Sequence, residues 1–492
     1  MKSSKSSPKR SGKNSSKTVT GFDLFYQLTS MSATAAAGIA RGKIFELARR
    51  IPAPPAHFFE QITNLADKLR LNYPDACRMV GMRVKSEQVK TFLLRLSDAL
   101  RSGEPLAPFL AREAGVQGDN YMNEYERQLE SLKKWNDGYT SIAVSAALIV
   151  IVNMVSTMIY NVGAGMILGM VATAIAVDFV VAWVVSRAAP QEVMSVPWAQ
   201  GSEEQQRALK LLKILAGAAV VVGAALTLLH LSVGWVLVAT ALLIIPAGLA
   251  SSKAEAKVMK RDMEVGAFFR SIGGTATSRG TTLGEALSRI EMDSFPALES
   301  IIRRLLLRLR AAAKPEICWR LFGKETGSRL ISQATGVFYE ATNLGGDPET
   351  AGVLCSLFST RTAMLRAKRS GVAATFAWLM MVMHGVLATL MVFILEILKK
   401  FMTLMESAMP AEQGAEAMKA MAVELLSFAA PQTDFLEKIT IAMLVLLALV
   451  NSFAIVSSEG SHLLKITFYL SIMLLLTGIA FLVVPPLVSS IF

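Results

Sequence analysis

The sequence predicts an all-α integral membrane protein, with about seven transmembrane helices and two cytoplasmic helical-bundle domains related by an internal repeat. Three observations carry this. The 492 residues are 53% hydrophobic, with a mean hydropathy of +0.45, which exceeds what a soluble globular chain carries. The apolar residues gather into seven long runs. The polar stretches between them keep the i, i+3, i+4 spacing of helices, and no run of alternating β-branched residues argues for a sheet.

Residues 1–20 form a Ser- and Lys-rich tail with Lys2, Lys5, Lys9, Arg10, Lys13 and Lys17 and no acid. No apolar run follows that could complete a signal peptide, so a disordered tail drawn to anionic lipid is expected. From 21 to 138 the pattern is helical and water-exposed. Phe25, Leu28 and Met31 form one apolar stripe, Phe58, Ile62, Leu65 and Leu69 a second, and Val89, Phe92, Leu93, Leu96 and Leu100 a third. Pro52, Pro54 and Pro55 separate the first two helical groups. Tyr73-Pro74-Asp75 marks a helix start, and Gly103-Glu104-Pro105 a turn.

Apolar runs then occupy residues 139–160, 165–185, 211–230, 233–250, 372–398, 439–455 and 464–492. Each is near or above the ~20 residues a helix needs to cross a bilayer. Four fall within 139–250, one within 371–398 and two within 439–492. Between them lie a second helical domain at 251–370 and a segment at 399–438, expected to be external. Orientation follows the Lys/Arg bias. Residues 1–139 hold 22 basic and 14 acidic residues, a net +8; residues 251–370 hold 19 and 12, a net +7; residues 399–438 hold 4 and 6, a net −2. Both domains and the N-terminus are therefore expected in the cytoplasm and the C-terminus outside.

A net charge of +12, spread over these polar stretches, suits membrane lipids as a partner better than nucleic acid. Cys77, Cys318 and Cys355 are an odd number without CxxC spacing, so neither a disulfide framework nor a metal site is indicated. Neither Gly38–Ile44 nor Gly274–Thr282 has the spacing of a phosphate loop. No nucleophile and base can be grouped, so the chain reads as no enzyme and as needing no cofactor.

The two polar domains share a phrase. Cys77-Arg78-Met79-Val80-Gly81 precedes Gly103-Glu104-Pro105, and Arg320-Leu321-Phe322-Gly323 precedes Gly346-Asp347-Pro348, with Gly-to-Gly intervals of 22 and 23 residues. Phe25-Tyr26 and Phe268-Phe269 stand near the start of each domain. Such a unit is a helix, a turn and an antiparallel partner. Gly81, Gly103, Gly323 and Gly346 would supply positive φ or close approach, and Asp347 an N-cap before Pro348 at N1.

Several phrases make the chain resemble the type II secretion system F-domain family. They are Phe268-Phe269-Arg270-Ser271-Ile272, Arg279-Gly280-Thr281-Thr282-Leu283-Gly284-Glu285-Ala286-Leu287, Gly323-Lys324-Glu325-Thr326-Gly327, Leu344-Gly345-Gly346-Asp347-Pro348-Glu349, and Leu365-Arg366-Ala367-Lys368-Arg369 running into an apolar helix. Lys324 departs from the family pattern, which has Glu directly after the first glycine. The match is stronger over 265–400 than over 21–140, and two polar domains with extra spans look most like the archaellum and archaeal pilus platforms and their Tad-type relatives. The resemblance implies a non-enzymatic membrane scaffold. Its implied partners are a hexameric secretion ATPase on the cytoplasmic side and pilin-like or archaellin-like subunits.

Three groups of residues are candidates for function. Arg303, Arg304, Arg308 and Arg310, continued by Lys314, are expected on one helix, with Arg303, Arg310 and Lys314 on one face. Like charges at that density ask for an acidic partner, which lipid phosphate or an acidic ATPase surface would supply. The plainer reading is a solvated helix face. Asp178 and His384 fall within apolar runs, beside Asn153, His230 and Asn451; they are either interhelical hydrogen-bonding groups or a relay in a proton-coupled transporter. Gly165-Met166-Ile167-Leu168-Gly169 is a GxxxG that permits close packing within the chain or contact with a second copy as a homodimer.

Overall fold

The computed structural model describes residues 19–156, 164–229, 231–407 and 416–491, with backbone alone at 164, 402, 405–407, 416–433 and 491. Residues 1–18, which hold most of the expected tail, 157–163, His230, 408–415 within the expected external segment, and Phe492 lie outside the described residues.

Sixteen α-helices are described: α1 (Gly21–Ala36), α2 (Arg41–Ala48), α3 (Ala56–Leu69), α4 (Tyr73–Gly81), α5 (Glu87–Ser102), α6 (Leu106–Ser156), α7 (Ala164–Ala188), α8 (Glu203–Leu228), α9 (Val233–Arg279), α10 (Leu283–Arg289), α11 (Glu299–Arg310), α12 (Pro315–Glu325), α13 (Arg329–Asn343), α14 (Pro348–Ser407), α15 (Glu416–Glu459) and α16 (Ile466–Ile491). No strand occurs among the described residues; a single bridge pairs Ser195 with Ser328. Seven helices (α6, α7, α8, α9, α14, α15 and α16) are long and apolar enough to cross a membrane, and they fall on the seven apolar runs of the sequence. Three of them join a polar and an apolar stretch in one continuous helix. α6 reaches 51 residues, α9 47 and α14 60, and α9 continues through Pro246.

The chain divides into two compact units. The first draws on residues up to 124, 266–291 and 333–361. Its α1–α6 portion closes over a core in which Leu28, Ile62, Phe92, Leu93 and Leu96 from the three sequence stripes pack with Phe45, Cys77 and Phe109. Burial pushes the Cys77 thiol up to about 12, as expected of a structural cysteine. Leu69 departs from its stripe and is exposed, since α3 ends there and Arg70 turns into the left-handed region with φ 53°. Phe25 meets Phe358 edge-on at 5.1 Å, and Phe269 lies 5.2 Å from Phe338. α9 and α14 approach through glycine: a Cβ on Gly273 would sit 2.4 Å from the Pro348 carbonyl oxygen, and one on Gly352 2.5 Å from that of Phe269.

The second unit holds residues 125–265, 292–332 and 362 onward. Ala147, Val150, Val171, Ala388, Met391, Leu395 and Leu444 pack α6, α7, α14 and α15 together. α15 buries 61% of its apolar window and α8 only 6%, so one is the axle of the bundle and the other lies along its outside. Trp135, Trp183 and Trp378 are exposed, and the Arg187 guanidinium stands 5.4 Å over the Trp183 ring. Each lies near the end of an apolar run, as interfacial aromatics do.

Candidate functional site

The densest polar structure gathers at one end of the seven apolar helices, within the second unit. Arg366 on α14 is its hub. Its Nε and Nη2 donate to Glu192 Oε1 at 3.0 and 2.6 Å, and its Nη1 donates to Asp262 Oδ2 on α9 at 2.6 Å. The three side chains are 3%, 6% and 4% exposed. A guanidinium suits this place because its planar fork satisfies two carboxylates at once. The Ser328 hydroxyl donates to the other Asp262 oxygen, which ties the loop after α12 to the hub.

Arg369, one turn on, is held by carbonyls. Its guanidinium donates to the oxygens of Ser458 at 2.9 Å, Pro190 at 2.8 Å and Ser457 at 3.0 Å. Two of these belong to the last turn of α15, where carbonyls lack helical partners and the helix dipole favours a cation. Gly460 closes that turn with φ +73°, and a Cβ there would lie 2.4 Å from Arg369 Cζ. Only glycine fits both requirements.

The same layer continues round the bundle. Arg261 on α9 donates to the Thr326 carbonyl at 3.0 Å and to Glu204 on α8 at 3.1 Å. Lys465, just before α16, pairs with Glu459 and lies 3.7 Å from Glu255. The His462 ring stacks on Trp198 at 4.5 Å. Asn136 on α6 donates to Ser458 Oγ at 2.9 Å. The segment between α7 and α8 is laced to the same loop: Val196 N donates to Gly327 O, Arg329 N to Met194 O, both at 3.1 Å, and Gln205 Nε2 to Gly327 O at 3.3 Å. Five of the apolar helices (α6, α8, α9, α14 and α15), with the segments just after α7 and just before α16, thus contribute to one collar of buried charge and backbone hydrogen bonds. A collar of this kind positions helices, and no three His, Cys, Asp or Glu among the described residues could hold a metal.

The arginine row divides. α11 stops at Arg310, Ala312 takes φ 55°, and α12 starts with Pro315 at N1. The expectation of one helix carrying all five basic residues is therefore corrected: Lys314 is the N-cap residue of α12. Arg304 Nε lies 3.1 Å from Glu325 Oε2, and Arg308 bonds the other Glu325 oxygen. The acid their crowding called for is thus supplied by α12. Arg303 pairs with Glu299 at 2.8 Å. Arg310 is exposed at the helix end.

Asp347 is the N-cap of α14 and lies in the first unit. Its carboxylate accepts from the Thr277 hydroxyl at 2.6 Å and from the Glu349 and Thr350 amides at 3.4 and 2.9 Å. The Thr277 and Thr350 hydrogen bonds hold its pKa down at about 2. Gly103 caps α5 with φ 76°, while Gly81 ends α4 against Leu93 Cβ at 3.2 Å. Gly323 sits inside α12, where a Cβ would be 2.9 Å from Ser332 Cα; Gly346 would meet the Ala341 oxygen at 2.8 Å. Left-handed φ falls on the adjacent Gly345, at 88°.

Asp178 and His384 are both buried, on α7 and α14. His384 Nε2 lies 3.0 Å from Thr477 Oγ1 on α16, and Asp178 Oδ1 has no hydrogen-bond partner among the described residues. Asn451 accepts from the Tyr139 hydroxyl at 2.6 Å, and Asn153 donates to its own helix. Around Gly165 and Gly169 a Cβ would meet nothing within 4 Å.

Sequence reasoning reached Arg366 and Arg369 as part of a basic phrase before an apolar helix, but not their partners. Glu192 and Asp262 lie 174 and 104 residues from Arg366, and no local spacing joins them. An acid in the short polar stretch after α7 was the one visible signal.

Comparison with known proteins agrees with the resemblance. The family model for type II secretion system (T2SS), protein F matches residues 28–154. That match falls on the first polar domain, whereas the phrases that carried the resemblance lie mainly in the second. Flagella accessory protein J of Methanocaldococcus jannaschii is 26% identical over 421 residues, covering 82% of this chain and 72% of that protein. Flagella accessory protein J of Methanococcus voltae is 24% identical over 335 residues, 64% of this chain and 58% of its own length. No solved structure matches. With seven apolar helices and a family match over residues 28–154, the chain carries a type II secretion system F domain within a polytopic all-α membrane protein similar to the flagella accessory proteins J.

Proposed function

We propose that the chain is the membrane platform of a type IV pilus-like or archaellum assembly machine. In this reading a secretion ATPase works on the polar domains from the cytoplasm, and the helix bundle passes that work to pilin-like subunits leaving the membrane. The net charges of +8 and +7 on the two polar domains, against −2 at 399–438, support a cytoplasmic N-terminus and an external C-terminus. The parallel order of short helix, longer helix and long membrane-crossing helix in α4–α5–α6 and α12–α13–α14 supports a duplicated unit.

The observation that carries the proposal is the Arg366 hub. It ties α14 to α9 and to the polar loops, so force applied to the polar segment 251–370 reaches the membrane helices through buried ion pairs. The test uses Arg366→Lys in the full chain, which keeps the charge but loses the fork. Membrane levels and detergent co-purification of the secretion ATPase should stay near wild type while filament assembly falls. Failure of the wild-type chain to co-purify with that ATPase would overturn the platform reading.

A transporter is the second reading, and the unpartnered buried Asp178 Oδ1 favours it. Asp178→Asn separates the two. Platform function predicts filaments unchanged, and transport predicts lost substrate flux.

A further inference from the structure

The α11–α12 hairpin carries an exposed surface that its own fold leaves unmatched. Between Glu299 and Glu325 lie seven basic and three acidic residues. Two of the basic ones, Arg304 and Arg308, are taken up by Glu325, and Arg303 by Glu299. Arg310, Lys314, Arg320 and Lys324 have no ion-pair partner among the described residues. Large apolar side chains stand beside them: Leu307 is 59% exposed, Ile317 41% and Leu321 37%. At 100° per residue Leu307 lies about 40° from Arg303 and 60° from Arg310 on one face of α11, and Ile317, Leu321 and Lys324 share a face of α12 with Arg320 beside it. Apolar tips flanked by long cations are the pattern of helices that rest in a bilayer interface, where the tips reach the acyl boundary and the cations meet phosphate.

Placement favours the same partner. The C-terminal end of α12 is fixed to the collar, where Gly327 accepts from Gln205 Nε2 and from Val196 N. Gln205 precedes the apolar run that begins at Leu211 by about 9 Å of helix. The headgroup layer occupies about 5–8 Å on each side of the hydrocarbon. The hairpin is therefore rooted within side-chain reach of lipid headgroups.

We propose that the α11–α12 hairpin is a docking surface for the anionic bilayer itself, with Leu307, Ile317 and Leu321 entering the interface and Arg310, Arg320 and Lys324 binding lipid phosphate. This goes beyond the platform reading and does not depend on it. Docking would hold the polar segment down against the membrane beside the collar.

Amide hydrogen exchange tests this on the full chain in nanodiscs of phosphatidylcholine alone or mixed with phosphatidylglycerol. Exchange across residues 299–325 should slow several-fold in the anionic discs. Salt at about 0.5 M should weaken the effect, and Arg310→Gln/Arg320→Gln/Lys324→Gln should remove it, each charge being worth about five-fold near an anionic surface. Leu321→Ser alone should reduce the protection while leaving exchange in neutral discs unchanged, which shows that the fold is intact. Equal exchange in both lipid compositions would overturn the proposal. Protection that arises only on adding purified secretion ATPase, whatever the lipid, would assign the surface to a protein partner and likewise overturn it.

Discussion

Two arginine–carboxylate clusters in the second unit are built from the same groups and do different work. Around Arg366, a guanidinium and two carboxylates are all at most 6% exposed. Around Glu325, one carboxylate joins Arg304 and Arg308 with side chains 24–39% exposed. The buried cluster joins elements far apart in sequence; the half-exposed one joins two neighbouring helices. Burial decides the energetics. Removing one partner of a buried ion pair leaves a desolvated charge, whereas water takes over the partner of an exposed one. The first cluster is therefore architecture, and the second a local brace that leaves nearby cations free to bind elsewhere.

This contrast predicts a ranked set of effects. Arg366→Ala should destabilise the chain most, by about 3–5 kcal/mol, read as a large drop in the detergent melting temperature; a fall as small as that of the exposed pair would erase the distinction. Gly460→Ala should follow, because Ala at positive φ costs about 1–2 kcal/mol and its Cβ strikes the Arg369 guanidinium. Relief of that loss in a second variant, Arg369→Ala combined with Gly460→Ala, would confirm that the clash is the cause. Glu325→Gln should cost no more than about 1 kcal/mol and leave membrane insertion unchanged.

The smallest effect concerns the first unit. Asp347 titrates near 2 in the folded chain and near 3.9 unfolded. A depressed carboxylate contributes stability above its unfolded pKa that is lost as pH falls through its folded pKa. Stability should therefore decline between about pH 4 and pH 2, and Asp347→Asn should flatten that part of the melting profile.

Much of the fold was legible. Seven apolar runs became seven apolar helices because span length is a local property, set by the rise per residue and the bilayer thickness. Tyr73-Pro74 and Gly103 marked real helix ends because caps and turns are also local. The basic phrase at 365–369 does run on into a span within α14, since a hydropathy change does not end a helix. Lys314 was placed on the wrong helix although Pro315 directly follows it and starts α12; the left-handed Ala312 completes the stop. The collar was hidden for a different reason. Glu192, Asp262 and Arg366 each look like ordinary polar residues beside a span, and only the folding of α7, α9 and α14 against one another makes them a site.

The central claim is that the Arg366 hub carries load between the polar segment and the membrane helices. Filament assembly by cells whose only copy carries Arg366→Lys, at membrane levels equal to wild type, tests it most directly. The account predicts few or no filaments, with ATPase co-purification retained. Filaments at wild-type number and length would contradict it.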